Sequence, residues 1–279
     1  MRRGTGDTGA VAIAQVFERA PAGAVGRRAA LAAAGALTLG DAPPQDFEPI
    51  AVPEPLTGLL PEGIRRGEAI GMPGESAGGG AAIGGVAVDY LALALLAGAL
   101  RQGLWCAAVG VRGLGGAALA GLLGAAALRE GALRRLLVVA RPGERWAETA
   151  TALADGVDLV LLAAPEQVPA QLARRVDARL RQGAADESRH RAALLVLGAW
   201  PGARTVLRVR RLGWTGFDAG TGHLVAGRAV IDAEDRARRR RTVQVLLPEG
   251  LGAEAPLSTS APEERKERSA NRPHLTAVA

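Results

Sequence analysis

A chain of 279 residues, 48% of them hydrophobic, is long enough for one substantial core with tails and is too mixed in composition for a fibrous protein. Its single cysteine, Cys106, excludes an intramolecular disulfide framework, and its three histidines stand far apart without ligand spacing, so no metal site and no cofactor are expected. The net charge of +6 permits contact with nucleic acid or an acidic partner, yet arginine supplies nearly all of the positive charge, Lys266 being the one lysine.

Residues 1–45 are Ala-rich, and Val11–Ala20 and Arg27–Leu39 each have the spacing of a short helix with one apolar face. No apolar stretch follows the first residues as in a secretory leader, and the arginine pair at 27 and 28 lies well inside the chain without the bulky residues of a twin-arginine signal. A cytoplasmic protein is expected. Five prolines between Asp41 and Pro55 predict an extended run, with residues 46–55 as the linker into the folded region.

From residue 56 to 248 short apolar runs alternate with helical stretches, the pattern of βαβ units and a largely parallel sheet. The predicted strands are Glu68–Met72, Leu104–Val111, Leu136–Val139, Val157–Ala163 and Ala192–Leu197; the predicted helices span 84–101, 116–129, 143–155 and 166–182. Tyr90–Val111 is apolar enough to imitate a membrane span, but Arg101 and Gln102 interrupt it where a helix would give way to a strand. After Trp200 the segments TVLRVRRLGWTG, HLVAGRAVIDAE and RRTVQVLLP alternate in polarity and predict an antiparallel extension of the sheet. Residues 249–279, polar and without period, are expected to be a disordered tail.

One stretch carries the functional question. GMPGESAGGGAA, residues 71–82, sits between an apolar strand and a helix, and its Gly74-Glu75-Ser76-Ala77-Gly78 matches the loose pattern of a nucleophile elbow. Only one convincing strand precedes it, no HGGG-like segment lies upstream, and the chain order Ser, acid, His could be met only by His190, in a charged loop, or by His223, which argues against a hydrolase using Ser76. The same stretch has the glycine spacing of a phosphate loop, Gly74 to Gly79 with Gly78 between them. Gly80 stands where such a loop needs its lysine, and Ala81 stands at the hydroxyl position that would hold magnesium.

LLPEGIRRGEAIGMPGESAGGG, the apolar helix after it and GLWCAAVGV together resemble the opening of the RecA-type ATPase core, and VDLVLLAAP resembles its later strand. This resemblance implies an α/β, RecA-like P-loop NTPase fold: a mostly parallel sheet flanked by helices with an antiparallel C-terminal extension. It places Arg112 where RecA proteins carry the catalytic glutamate and Ala163 where they carry the magnesium-binding aspartate. With Gly80 and Ala81, four charged or hydroxyl-bearing groups are replaced, so the expectation is a pseudo-ATPase with no catalytic residues. ARPGERWAETATALADGVDLVLLAAPEQV, LLVLGAWPGARTVLRVRRLGWTGFDAGTGHL and RRRTVQVLLP are similar to the actinobacterial RecA-like accessory proteins of the translesion-synthesis mutasome, the ImuA-like group. That similarity implies a scaffold in DNA-damage-induced mutagenesis. Its partners would be a catalytically inactive Y-family polymerase homologue and an error-prone C-family polymerase.

Two surfaces stay open to more than one reading. Arg238, Arg239, Arg240 and Arg241, with Arg208, Arg210 and Arg211, could track a DNA backbone or could guard a solvent-facing edge strand. Trp214, among arginines, is the candidate anchor for a protein interface, whereas Trp105 and Trp146 are expected in the core. The alternative function is a DNA- or nucleotide-binding regulator, since free amides at a helix start attract phosphate even without lysine.

Overall fold

Tetrapeptides such as AIGM and CAAV have no polar side and fit strands covered on both faces of a sheet, and all four residues of each are buried. The computed structural model describes residues 48–74, 81–112, 114–182, 191–218, 221–247, 252 and 257–259, with 81–87, 182, 211–212, 214–218 and 221–225 described by backbone alone. Its strands are β1 (Val52–Pro53), β2 (Ala69–Met72), β3 (Cys106–Val109), β4 (Leu136–Val139), β5 (Leu159–Ala163), β6 (Ala193–Leu197), β7 (Thr205–Asp218), β8 (Thr221–Asp235), β9 (Arg240–Leu247) and β10 (Leu257–Ser258). The helices are α1 (Ala81–Arg101), α2 (Gly116–Arg129), α3 (Trp146–Ala154) and α4 (Ala170–Gln182).

Eight strands form one sheet in the order β4-β3-β5-β6-β2-β7-β8-β9. From β4 to β7 every neighbouring pair is parallel, and β8 and β9 then continue antiparallel. The mixed α/β architecture with a mostly parallel sheet flanked by helices is therefore as the sequence leads one to expect. Alternation along the strands sorts the apolar side chains into two cores. Leu159, Leu161 and Leu195 face α1 and α2; Val160, Leu162 and Val196 face α3 and α4. Over β7–β9, among the described residues, Leu207, Ile231 and Val245 pack on the first face, while the other carries Arg208, Asp232 and Thr242.

Residues 91–100 of α1 are buried all round, which is the reason for their uniformly apolar sequence. Among the described residues no helix is long and apolar enough to cross a membrane. The outer cover of α1 comes from residues 50–64, which join the end of the expected proline-rich linker to the start of the folded region. Ile50, Val52, Leu56, Leu59 and Ile64 are buried, Ile50 pairs with Ile64, and β1 pairs antiparallel with β10. The Gln102 side-chain amide completes this lock, donating to the Ala51 carbonyl at 3.0 Å and accepting from the Ala51 N–H at 3.0 Å. Val52–Pro53 is extended as expected, but Glu54–Thr57, with Pro55 in its first turn, is a short helix rather than an extended run, because proline is tolerated at a helix start and the apolar residues here have α1 to cover. Leu257–Ser258, within the stretch expected to lack structure, joins for the same reason.

The N-terminal edge of the sheet is fastened by charge. Arg66, its side chain 6% exposed, donates to Asp158 at 2.7 Å, to the Arg191 carbonyl at 3.3 Å and to the Glu48 carbonyl at 3.1 Å. Asp158 in turn accepts from the Trp105 N–H at 2.8 Å. One ion pair thus ties together the entrances to β2, β3, β5 and β6. Next to it, burial pushes the Cys106 thiol well above its ordinary pKa, and the Asp158 charge adds to that while Arg66 opposes it. The thiol is a core group, not a nucleophile.

Candidate functional site

Because β2, β3, β4, β5 and β6 run in one direction, the loops that follow them all open at one edge, where ligands of open α/β sheets bind. Met72, Leu197 and Ala163 lie side by side in one row of β2, β6 and β5. Ala163 is therefore two strands, about 10 Å, from the base of the glycine-rich loop. Its side chain is a methyl group, with no charge to offer at this edge. Beside it Gly110 has a left-handed φ of 72°, and a Cβ there would sit 3.1 Å from the Ala163 carbonyl oxygen, so the turn after β3 needs glycine. Arg112, two residues further on, is exposed.

Gly74 is exposed at the start of the loop, and Ala81 opens α1. Glu75, Ser76, Gly78, Gly79 and Gly80 lie outside the described residues. In the third turn of α1, burial raises the pKa of Asp89 and of Tyr90. Arg66, the nearest arginine before the loop in sequence, is committed to Asp158 at the opposite edge of the sheet and cannot serve in place of the loop lysine. Among the described residues no group of three His, Cys, Asp or Glu side chains is arranged to hold a metal ion.

The crossover from β6 to β7 passes over β2. Gly198 donates to the Met72 carbonyl at 3.0 Å, Arg204 donates to the Ala69 carbonyl at 3.0 Å, and a Cβ on Gly71 would meet Ala203 and Trp200 at 3.4 and 3.7 Å. Only a small residue fits beneath it. Trp200 anchors the crossover: its indole N–H donates to Asp177 at 2.9 Å, and its ring meets Trp146 edge-on at 6.3 Å between centroids. Burial raises the Asp177 pKa, and the Trp200 hydrogen bond together with Arg181 and Arg236 opposes the rise.

The arginines do not gather at the loop. Thr205 of β7 stands beside Ile70, so the β8–β9 turn carrying Arg236–Arg239 lies at the N-terminal edge, opposite the end of β2 from which Pro73 and Gly74 continue. Arg208 and Arg210 project between the two edges on the uncovered face. Arg211 and Trp214 belong to the part of β7 nearer the loop edge, and their side chains are outside the described set.

The described arginines are interleaved with carboxylates. Arg210 pairs with Asp232 at 2.9 Å and Arg239 with Asp235 at 2.8 Å, while Glu234 has Arg208, Arg238 and Arg240 around it at 3.5, 3.6 and 3.7 Å. Arg241, half-buried, stands opposite Ala233. The Thr242 hydroxyl, donating at 2.7 Å, and Arg210 hold Asp232 below the usual carboxylate pKa, and the Arg239 N–H does the same for Asp235. Sequence reading saw the basic run without these partners, since Asp232 and Glu234 meet Arg208 and Arg240 only through cross-strand register.

Among curated proteins nothing matches this chain. The family model of the MT3502 N-terminal domain matches residues 58–202, just over half of the chain, and the chain belongs to that family. The match runs from the turn before β2 to the Trp200 crossover; the antiparallel extension lies beyond it.

Proposed function

We propose that this member of the MT3502 N-terminal domain family is a non-catalytic, RecA-like scaffold of the ImuA-like kind, acting in the cytoplasm in DNA-damage-induced translesion synthesis. It would position an inactive Y-family polymerase homologue and an error-prone C-family polymerase through protein contacts. The observation that carries the reading is the row Met72–Leu197–Ala163 at the loop edge, where the resemblance calls for a magnesium-binding aspartate and the chain has alanine. The exposed Arg112 in place of a catalytic glutamate agrees with it. A central loop strand, helices on both faces and an antiparallel continuation support the RecA-like form of the fold.

A pseudo-ATPase of this kind holds its partners without nucleotide. Co-purification of the polymerase components from damaged cells is expected to be equal with and without ATP and Mg²⁺, and unchanged by Gly80→Lys. Partner retention that requires ATP would overturn the reading.

A further inference from the structure

β9 closes the sheet on one side: among the described residues no strand pairs with its outer edge. In an antiparallel ladder alternate residues turn their N–H and C=O groups away from the neighbour, so this edge offers a row of backbone donors and acceptors. Its counterpart at the other side, β4, has four residues; β9 has eight. After Arg240 and Arg241 the strand runs Thr242 to Leu247 without a charge and rich in β-branched residues. Leu246, on the uncovered face, is 39% exposed. The strand itself is basic at one end and uncharged at the other, where Arg228 of β8 stands across from Leu246.

The basic end keeps a surplus of charge after its internal pairing. Glu234 is shared by three guanidinium groups, and Arg238, Arg239 and Arg240 leave 89%, 71% and 61% of their side-chain surface exposed.

We propose that the free edge of β9 docks an extended, acidic segment of a partner protein, which adds as a further strand with its carboxylates toward Arg238–Arg240 and its apolar end toward Leu246. Backbone hydrogen bonds would supply the affinity, and the arginines would select the sign of the charge. A second copy of the chain fits less well: two-fold antiparallel pairing of β9 would set Arg240 and Arg241 against Leu247 and Leu246 and bring no carboxylate to either. Nucleic acid also fits less well, because phosphates only accept hydrogen bonds and would leave the outward carbonyls of β9 without donors. The inference rests on the scaffold reading only in taking the partner to be a protein.

The test uses the full chain and a synthetic decapeptide with glutamates at two alternate positions near one end, followed by alternating threonine and valine. Amide hydrogen exchange is expected to slow across 242–247 on adding this peptide. Replacing its glutamates by lysine, or reversing Arg240 and Arg241 to Glu in the chain, is expected to weaken binding by about tenfold, which corresponds to about 1.4 kcal/mol. A proline-interrupted peptide should not bind. Protection elsewhere in the chain, equal binding of the lysine peptide, preference for a single-stranded oligonucleotide, or protection that appears with chain concentration alone would each overturn the proposal. ATP turnover bears on the scaffold reading and leaves this exchange pattern untouched, so the two ideas fail separately.

Discussion

Removing Arg66 tests how much of the fold's stability resides at the edge opposite the glycine-rich loop. In Arg66→Ala, Asp158, only 16% exposed, keeps the Trp105 N–H but loses its cation, and the Glu48 and Arg191 carbonyls lose a donor. Breaking a buried pair from one side costs about 3–5 kcal/mol, and residual solvent access to Asp158 places this case near the lower end, about 3 kcal/mol. Asp158→Ala should cost about as much, since it strands both the Arg66 charge and the Trp105 N–H. The double variant leaves no buried charge behind, so its cost should fall short of the sum by about 2 kcal/mol. Urea unfolding followed by tryptophan fluorescence reads this directly: with a slope of about 2 kcal/mol/M, Arg66→Ala should lower the midpoint by about 1.5 M. A shift below about 0.3 M, or strictly additive costs, would refute the claim that this pair fastens the strand entrances.

Asp177 should behave in the opposite sense. Its folded pKa is raised by burial, so the folded state holds a proton that the unfolded state releases, and stability falls as pH climbs from the ordinary carboxylate value through the raised one. Asp177→Asn keeps an acceptor for Trp200 and should be neutral or stabilising at pH 7 with that pH slope removed. Asp177→Ala should cost about 1–3 kcal/mol by orphaning the indole N–H; denaturant titrations across pH check both. Gly98→Val should cost about 1–3 kcal/mol in the same assay, because a Cβ there already lies 3.3 Å from Leu257 and 3.5 Å from Pro53, and the larger side chain would push β1 and β10 off α1. Arg238 occupies a left-handed φ of 62°, so Arg238→Gly should raise stability by up to about 1 kcal/mol, measured as a higher melting temperature.

Much of the parallel sheet was legible in the chain because its inner strands, buried on both faces, need uninterrupted apolar runs; LLVV has the predicted bounds although Val138 is exposed at the sheet edge, and the helix at 116–129 has them too but is kinked at Gly124, whose φ of 74° is not helical. The α3 start was less legible. Pro142 and Gly143 open a 3-10 turn over Gly143–Arg145, and the α-helix begins only at Trp146. The packing of residues 50–64 was hidden because their prolines dominate the local pattern, while the surface they cover, the far side of α1, is distant in sequence. The arginine face was legible as charge and not as pairing, because register across β7, β8 and β9 decides which carboxylate meets which guanidinium. Arg66 and Asp158 could have been singled out only by knowing that both strand entrances share one edge.

The central claim is that the loop edge lacks the charges needed to turn over a triphosphate, and steady-state ATP hydrolysis by the purified full chain in Mg²⁺ tests it most directly. The account predicts a rate equal to the buffer background. Turnover above that background which disappears on Glu75→Ala or Ser76→Ala would contradict it.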